Sequence, residues 1–257
     1  MIVLETKNLT RNFGGLAAVS NVSLQIGENE LVGLIGPNGA GKTTLFNLLT
    51  GVYEPSEGSI ELLVDNNMKS IGGLKPYTIT NLGIGRTFQN IRLFKELTVL
   101  DNIKVGMNKN IKYGTISAIL RLPSYYKEEA RVHEEALKLL EVVNLSSKKD
   151  ELAKNLPYGE QRRLEIARAL ATNPKILFLD EPAAGMNPNE TKDLTVLIKQ
   201  IKDDFKLTVI LIEHDMSLVM NLCEKIYVLD YGKLIASGDP ESIKNNKRVI
   251  EAYLGED

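Results

Sequence analysis

Three short apolar segments, each followed by a polar or glycine-rich turn, constrain the fold more than any other feature of this chain. They are ELVGLIG (residues 30–36), KILFLDE (175–181) and LTVILIEHD (207–215). None alternates apolar with polar residues, so each is expected to be a strand buried on both faces, as in a parallel sheet covered by helices. KTTLFNLLTG, which stops at Gly51, and NETKDLTVLIKQIKDDF predict helices between them. The predicted fold class is therefore α/β.

Bulk composition agrees with one globular domain. The chain has 257 residues, 43% of them hydrophobic and 25% charged, which is enough apolar material for a sizeable core. The formal net charge of -2 gives no electrostatic reason to expect nucleic acid as a partner. No apolar run approaches the ~18 residues of a membrane helix. The lone cysteine, Cys223, is expected to be a small buried residue.

The first strand leads into GPNGAGKTT (residues 36–44), which matches G-x-x-x-x-G-K-[ST]. Glycines in such a loop let successive backbone N–H groups and the following helix N-terminus face phosphate oxygens. Lys42 is expected to reach the terminal phosphates, and the Thr43 hydroxyl to coordinate Mg²⁺. The predicted nucleotide ligands are Gly36, Pro37, Asn38, Gly39, Ala40, Gly41, Lys42, Thr43 and Thr44.

Polar residues end the other two strands at the same edge of the sheet. Asp180 and Glu181 follow ILFL, and His214 follows LIE. Ligands of open α/β folds bind at this edge. Asp180 is predicted to hold the metal, commonly through water, and Glu181 to orient and deprotonate the water that attacks the γ-phosphate. His214 is predicted to contact that phosphate.

The middle of the chain is predicted to be helical. In residues 127–143, Val132, Ala136, Leu139 and Val143 form one apolar stripe. We therefore expect one domain, 1–257, with a catalytic core formed by 1–89 and 156–257 and a helical subdomain inserted at 90–155. KIYVLDYGKLIASG predicts a hairpin that turns at Asp230 to Gly232, and GDPESIKNN predicts a helix capped by Asp239.

Five segments occur in the order and spacing of one known family: GPNGAGKTT, RTFQN, LPYGEQRRLEIARAL, LFLDEPAAGMNP and LIEHDM. The chain resembles the nucleotide-binding subunits of ABC transporters. The resemblance implies ATP and Mg²⁺ as cofactors and a P-loop NTPase core with an antiparallel β subdomain besides the helical insertion. It also implies that Gln89 is a hinge that touches the metal or the water, that His214 is a switch histidine, and that Phe13 stacks on adenine.

In this family LPYGEQRRLEIARAL (residues 156–170) is the signature motif, whose helix N-terminus faces the γ-phosphate held by the other subunit of a dimer. Pro157, Tyr158, Gly159 and Glu160 stand where the usual pattern is Ser-Gly-Gly-Gln, and the helix is expected from Arg162 onward. The usual serine hydroxyl and one N–H are missing. Asn187 likewise replaces a usual aspartate. The resemblance therefore favours a heterodimer with a second ATPase subunit, with a homodimer as the alternative.

LTVLDNI, YGEQRRLEIARAL, DEPAAGMNP and RVIEAYLGE resemble the ATPase subunit of branched-chain amino-acid importers. This similarity implies a peripheral protein on the cytoplasmic face of the plasma membrane. It would dock on transmembrane permease subunits through residues 89–100 and act indirectly with a solute-binding protein. The solute itself cannot be derived from an ATPase subunit.

Four alternatives compete with this interpretation. A GTPase would carry N-K-x-D, and NKNI at Asn108 and NKRV at Asn246 both lack the aspartate. Another ABC transporter could carry a different solute or export lipid or lipopolysaccharide. A non-transport ABC ATPase typically has a long coiled coil or two cassettes. The fourth alternative is a subunit that binds nucleotide but hardly hydrolyses it. Glu181 argues against this alternative for the nucleotide at the chain's own phosphate loop, whereas Pro157 argues for it at the phosphate loop of the partner subunit.

Overall fold

The computed structural model describes residues 1–254, apart from the side chain of Asn110. Residues 255–257, which include the last two residues of RVIEAYLGE, lie outside the described residues. The strands are β1 (Ile2–Phe13), β2 (Leu16–Gly27), β3 (Leu31–Ile35), β4 (Glu57–Val64), β5 (Asn67–Ser70), β6 (Ile84–Arg86), β7 (Ile176–Asp180), β8 (Thr208–Ile212), β9 (Lys225–Asp230) and β10 (Lys233–Gly238). The α-helices are α1 (Lys42–Leu49), α2 (Pro76–Asn81), α3 (Val99–Gly106), α4 (Thr115–Ile119), α5 (Pro123–Val142), α6 (Tyr158–Leu170), α7 (Pro188–Phe205), α8 (Met216–Leu222), α9 (Pro240–Lys244) and α10 (Lys247–Leu254).

The larger sheet has six strands in the order β10-β9-β3-β8-β7-β6. Strands β9, β3, β8, β7 and β6 pair in parallel, and β10 joins the edge as the antiparallel arm of a hairpin. Every residue of β3, β7 and β8 is buried, because helices cover one face of this sheet and α1 with the second sheet covers the other. The predicted α/β class, the mainly parallel sheet and the hairpin that turns after Asp230 are confirmed.

The second sheet is the antiparallel subdomain, with strand order β2-β1-β4-β5. Its inward residues, including Leu4, Ile26 and Ile60, share one core with Leu45 and Phe46 of α1. Packing α1 between the two sheets fixes the start of this helix against both of them. The loop that precedes α1 therefore rests on a rigid support.

Between β6 and α6 the chain is mainly helical. The predicted stripe of α5 is buried: Val132, Ala136, Leu139 and Val143 all belong to the core that α3 and α6 also line. The bounds 90–155 for a helical subdomain stay a prediction. Within residues 1–254, no helix combines the length and the apolar character that crossing a bilayer requires.

Two boundaries differ from the predictions. Helix α6 begins at Tyr158, not at Arg162, because Pro157 acts as the N-cap and its carbonyl accepts the first helical hydrogen bond from Gln161 N–H at 3.0 Å. Proline at a helix start loses nothing, since the first N–H groups have no helical partner. The third predicted strand, β8, ends at Ile212, so His214 lies in the loop that follows it.

Candidate functional site

The loop from Gly36 to Gly41 connects β3 to α1 and has a conformation that only glycine allows at its two ends. Gly36 has φ +150° and Gly41 has φ +96°. A Cβ atom on Gly36 would lie 2.1 Å from the carbonyl oxygen of Leu229, and one on Gly41 would lie 2.3 Å from that of Ala18. Any larger residue would therefore displace the loop from the sheet.

Lys42, the first residue of α1, places its ammonium group inside the curl of this loop. Its Nζ donates to the carbonyl oxygens of Gly36 at 2.6 Å and of Pro37 at 2.8 Å. The side chain is buried, so the positive charge is held beside the N-terminus of α1. A fixed cation, a helix N-terminus and a glycine-rich loop together form a site for phosphate groups.

A cavity of about 420 Å³ opens over this loop. It brings together the loop residues, the start of α1 and residues from four other parts of the chain. Its lining consists of Leu16, Ala17, Ala18, Asn38, Gly39, Ala40, Gly41, Lys42, Thr43, Thr44, Gln89, Glu181, Tyr231 and Gly232. The structure thus joins most of the predicted phosphate ligands to Gln89 and to Glu181.

Gln89 and Glu181 are in direct contact at the wall of the cavity. Nε2 of Gln89 donates to Oε2 of Glu181 at 3.0 Å. Glu181 has φ +45°, which is rare for a residue other than glycine, and its N–H donates to Ile212 O at 3.0 Å. Such strain is found at functional sites, where the surrounding structure holds a side chain in one direction.

Asp180 lies one residue earlier and is buried. Its Oδ2 accepts a hydrogen bond from Nη2 of Arg86 at 2.8 Å, and Nη1 of Arg86 donates to the side chains of Asn47 and Thr50. Arg86 thus connects the end of β6 with α1 and with the predicted metal ligand. The sequence analysis missed Arg86, because a single arginine at the end of a short strand has no distinguishing pattern.

His214 is exposed and is not among the residues that line the cavity. The preceding residue, Glu213, is buried and was also missed. Its carboxylate accepts the N–H groups of Ala183 at 2.8 Å and of His214 at 3.2 Å, which connects the loop after Glu181 to the loop after β8. Burial raises the pKa of Glu213 above its ordinary value.

Of two aromatic residues relevant to base stacking, Phe13 is not among the residues that line the cavity, although its strand partner Leu16 is, and Tyr231 is among them. Phe13 packs edge-on against Tyr53, with ring centroids 5.2 Å apart, and the Arg11 guanidinium lies 4.7 Å from the Phe13 ring centroid. Tyr231, in the turn between β9 and β10, lines the cavity and is highly exposed. Phe13 as an adenine-stacking residue stays a prediction, and Tyr231 is a second aromatic ring available to a base.

Residues 157–160 lie at the N-terminus of α6 and do not line this cavity. Glu160 forms a salt bridge with Lys148 at 2.6 Å, and a Cβ atom on Gly159 would lie 3.1 Å from Oε1 of Glu190. Glu190 in turn closes a capping box with Asn187 at the start of α7. Residues 157–160 are thus anchored in this chain's own fold and lie outside the lining of the cavity over its phosphate loop.

Arg162 of α6 is completely buried and forms hydrogen bonds with the backbone of the segment that contains Gln89. Its guanidinium donates to the carbonyl oxygens of Phe88 at 2.7 Å and of Gln89 at 2.9 Å, and it pairs with Glu165 at 2.8 Å. Glu165 accepts the N–H of Arg92 at 3.1 Å, and burial raises the pKa of this carboxyl group. A buried ion pair on α6 therefore fixes the backbone on both sides of Gln89.

A separate groove of about 400 Å³ lies behind this segment. Its walls combine aromatic and basic side chains: the Arg92 guanidinium lies 4.1 Å from the Phe88 ring centroid, and that of Arg168 lies 5.5 Å from the Phe94 ring centroid. Thr80 of α2 lies on the opposite wall. The groove therefore shares the segment 88–94 with the wall of the phosphate site.

Comparison with known proteins agrees with these features. The family model described as ABC transporter matches residues 19–184, and the one described as branched-chain amino acid ATP-binding cassette transporter matches residues 233–257. The high-affinity branched-chain amino acid transport ATP-binding protein LivG of Salmonella typhimurium (strain LT2) is 48% identical, covering 99% of this chain and 98% of LivG. BraF of Pseudomonas aeruginosa, described in the same words, is 47% identical over the same shares.

Solved structures give the same result. An ATP-binding cassette of an ABC transporter in its ADP conformation superimposes with a TM-score of 0.85 at 34% identity, covering 100% of both chains. A nucleotide-free cassette from an ABC transporter gives a TM-score of 0.84 at 36% identity, again over 100% of both chains.

One further relative by sequence is named for a different transport process. The lipopolysaccharide export ATP-binding protein LptB of Haemophilus influenzae is 36% identical, covering 100% of this chain and 98% of LptB.

Proposed function

Because the chain belongs to the ABC transporter ATP-binding family, we propose that it is the ATP-hydrolysing subunit of an importer for branched-chain amino acids. The observation that carries the proposal is the cavity in which the phosphate loop, Lys42 and Thr43 meet Gln89 and Glu181. The solute class follows from the relatives LivG and BraF, whose names state branched-chain amino acid transport. The lower identity of LptB, which names lipopolysaccharide export, makes that class the weaker candidate.

In this proposal the loop residues and Lys42 bind the β- and γ-phosphates of ATP. Lys42 already projects its ammonium into the loop, so binding exchanges two backbone carbonyl partners for phosphate oxygens. The oxygen donors that we propose for Mg²⁺ are the hydroxyl of Thr43, which lines the cavity, and the carboxylate of Asp180, which is buried against Arg86 and is not among the residues that line the cavity. Bound Mg²⁺ would neutralise charge on the phosphates.

Glu181 is the proposed general base. It lines the cavity, its backbone geometry is strained, and Gln89 holds one of its carboxylate oxygens. A carboxylate fixed in this way can accept a proton from water and orient it toward the terminal phosphate. We propose that Gln89 contacts the metal or the attacking water while it is hydrogen-bonded to Glu181. We also propose that His214 moves from its exposed loop to contact the terminal phosphate when nucleotide is bound.

The experiment that tests this proposal is Glu181→Gln. We expect steady ATP turnover to fall by ~10²- to 10⁴-fold, because the base is lost while the phosphate loop is intact. ATP should still raise the melting temperature of this variant, whereas Lys42→Ala should reduce that rise. Glu134→Gln, which alters an exposed carboxylate elsewhere, is the matched control. Turnover of Glu181→Gln within threefold of the parent would remove Glu181 from the role of base.

The groove behind Gln89 is the proposed docking site for the transmembrane permease subunits. Phe88, Arg92 and Phe94 offer aromatic and cationic contacts to a partner helix, and Arg162 and Glu165 connect the same segment rigidly to α6. Occupation of the groove would therefore act on the backbone of Gln89. We expect pull-down from native membranes to recover polytopic proteins and Phe94→Ser to reduce their recovery. Recovery of only soluble or nucleic-acid partners would contradict this assignment.

The second proposed partner is another ATPase subunit. Residues 157–160 do not line this chain's own cavity. This position is expected for a motif that contacts the nucleotide bound by a partner subunit. Pro157 offers no side-chain cap hydrogen bond at the start of α6, so we propose a partner with a serine-containing signature. The complex would bind the cytoplasmic face of the plasma membrane, and a solute-binding protein would act on the permease from the other side.

A further inference from the structure

The segment from residue 107 to 127 forms a surface that the proposed ATPase function does not use. It contains α4 and the start of α5, and it carries four cationic residues, Lys109, Lys112, Arg121 and Lys127, all of them exposed. The sequence has no Asp or Glu from residue 102 to residue 127, although the net charge of the whole chain is -2. Positive charge is therefore concentrated in this segment.

Large apolar side chains in the same segment face solvent. Ile116 and Ile119 of α4 and Leu120, its C-cap, are spaced i, i+3, i+4 and are 72%, 74% and 64% exposed. Leu122 and Tyr126, at the start of α5, extend the exposed set. Single exposed apolar residues are ordinary, but five of them within eleven residues indicate a contact surface. We call residues 116–126 the apolar patch.

The segment that carries the patch, which starts at residue 107, begins beside the proposed docking groove. Nζ of Lys109 donates to the carbonyl oxygen of Thr80 at 2.9 Å, and Thr80 lines the groove. The segment that carries the patch therefore starts at the rim where the permease would enter. A protein that docks there on a membrane-embedded partner has this segment close to the bilayer.

We propose that the apolar patch and its cations bind the surface of an anionic phospholipid bilayer. A short amphipathic segment with isoleucine, leucine and tyrosine on one side and lysine or arginine around them is the pattern of interfacial membrane contacts. A second protein is the weaker occupant, because lysine is depleted from the cores of protein–protein interfaces. Within residues 1–254, no carboxylate forms a salt bridge with Arg121 or Lys127, so both charges are open to lipid phosphates.

The test is sedimentation of the purified full chain with vesicles of phosphatidylcholine alone or mixed with phosphatidylglycerol. We expect binding to the anionic vesicles, weaker binding to the neutral ones, and loss of binding at high salt. Ile119→Ser/Leu120→Ser should weaken binding at least about tenfold, because two inserted side chains are lost. Arg121→Gln/Lys127→Gln should weaken it by ~5-fold for each cation removed.

Matched controls separate the patch from general surface effects. Val196→Ser/Leu254→Ser replaces two other residues that are 60% and 70% exposed, and Lys199→Gln/Lys244→Gln removes two exposed cations elsewhere. Both controls should bind vesicles like the parent, and all four variants should keep the parent's melting temperature and ATPase rate. Equal losses in patch and control variants, or a parent that ignores anionic vesicles, would overturn the proposal.

A protein occupant gives a different result. If the patch variants bind vesicles normally but recover fewer polytopic partners from detergent extracts, the patch contacts a protein and the lipid assignment is wrong. The vesicle experiment needs neither permease nor ATP, so its failure leaves the proposed ATPase function intact. Conversely, if the purified chain does not hydrolyse ATP but binds anionic vesicles through residues 116–126, the proposed ATPase function is wrong and the proposed lipid contact stands.

Discussion

Arg86 holds Asp180 in a largely buried ion pair, with Nη2 of Arg86 lying 2.8 Å from Oδ2 of Asp180. The same guanidinium donates to the side chains of Asn47 and Thr50 on α1, at 2.8 and 2.7 Å. One cation therefore connects the helix that follows the phosphate loop to the strand end that carries the proposed metal ligand. This contact sets the position of Asp180 before any ligand binds.

Arg86→Ala should lower the free energy of unfolding by about 3–5 kcal/mol, because it leaves the carboxylate of Asp180 buried without its cation. Asp180→Asn removes the charge on the other side. If the pair is coupled, the double variant Arg86→Ala/Asp180→Asn loses less stability than the sum of the two single variants. Urea denaturation of the four proteins measures this coupling. Losses that add to within ~0.5 kcal/mol would show that the two residues act independently.

Glu213 should make the stability of the fold depend on pH. Burial raises its folded pKa above the ordinary value of 4.5, so between these two pKa values the folded chain binds more protons than the unfolded chain. The free energy of unfolding therefore falls as pH rises through this window, and the loss is complete above the folded pKa. The loss amounts to about 1.4 kcal/mol for each pH unit of the window.

Glu213→Gln removes the titrating group, so its stability relative to the parent should increase with pH across the same window and then become constant. A fixed offset is expected, because an amide nitrogen cannot accept the N–H of His214 as the carboxylate does. Urea denaturation at several pH values measures the slope, and Glu134→Gln, an exposed carboxylate, is the control. A pH-independent difference between Glu213→Gln and the parent would show that Glu213 titrates normally.

The sequence was sufficient for the buried strands β3, β7 and β8 and for the loop between β3 and α1, and the reason is local; strands β1, β2, β4, β5 and β6 were not predicted individually. Buried strands and glycine-rich turns are specified by consecutive residues, so ELVGLIG and KILFLDE predict β3 and β7 to within one residue at each end. The same is true of the apolar stripe on α5. Asp239 as the cap of α9 is likewise specified by its own neighbours, since its side chain accepts the N–H of Ser242.

Residues that act through distant contacts could not be predicted in this way. The partners of Arg86 lie 39, 36 and 94 residues away along the chain, and those of Arg162 include carbonyl groups 73 and 74 residues away. Neither arginine belongs to a periodic pattern. The first turn of α6 was missed for a different reason: Pro157 and Gly159 are poor helix formers, but Pro157 is the N-cap, where no helical N–H is lost, and Gly159 packs closely against Glu190.

Asn187 has a structural role that offsets the loss of the family's usual aspartate. Its side chain accepts the N–H groups of Asn189 and Glu190, and the Asn187 N–H donates to Oε2 of Glu190. Asn187→Ala should cost about 1 kcal/mol of stability, because the cap of α7 is lost. Asn187→Asp should keep the cap and gain ~0.3–1 kcal/mol from a negative charge at a helix N-terminus. Chemical denaturation checks both values, and equal stability of the Ala and Asp variants would contradict the capping role.

Pro157 determines how α6 presents its N-terminus to a partner's nucleotide. The residue is the N-cap of the helix, and its side chain makes no cap hydrogen bond. A serine here could accept a helical N–H or donate to a phosphate oxygen, and a hydrogen bond to a charged group contributes ~1.5–3 kcal/mol. The helix dipole and the remaining N–H groups persist in the parent, so we expect a partly impaired composite site rather than an inactive one.

Pro157→Ser should therefore strengthen ATP-dependent dimerisation or raise turnover modestly at the partner's site. The stability of the chain should change little, because the gain of a serine cap of ~1 kcal/mol is offset by the greater freedom of the unfolded chain without proline. The measurements are the ATPase rate and the ATP-induced dimer fraction of both proteins, each with and without the purified partner subunit. If Pro157→Ser changes neither quantity, or if this chain alone forms a fully active homodimer, then proline at the start of α6 does not weaken the site and the asymmetric complex is wrong.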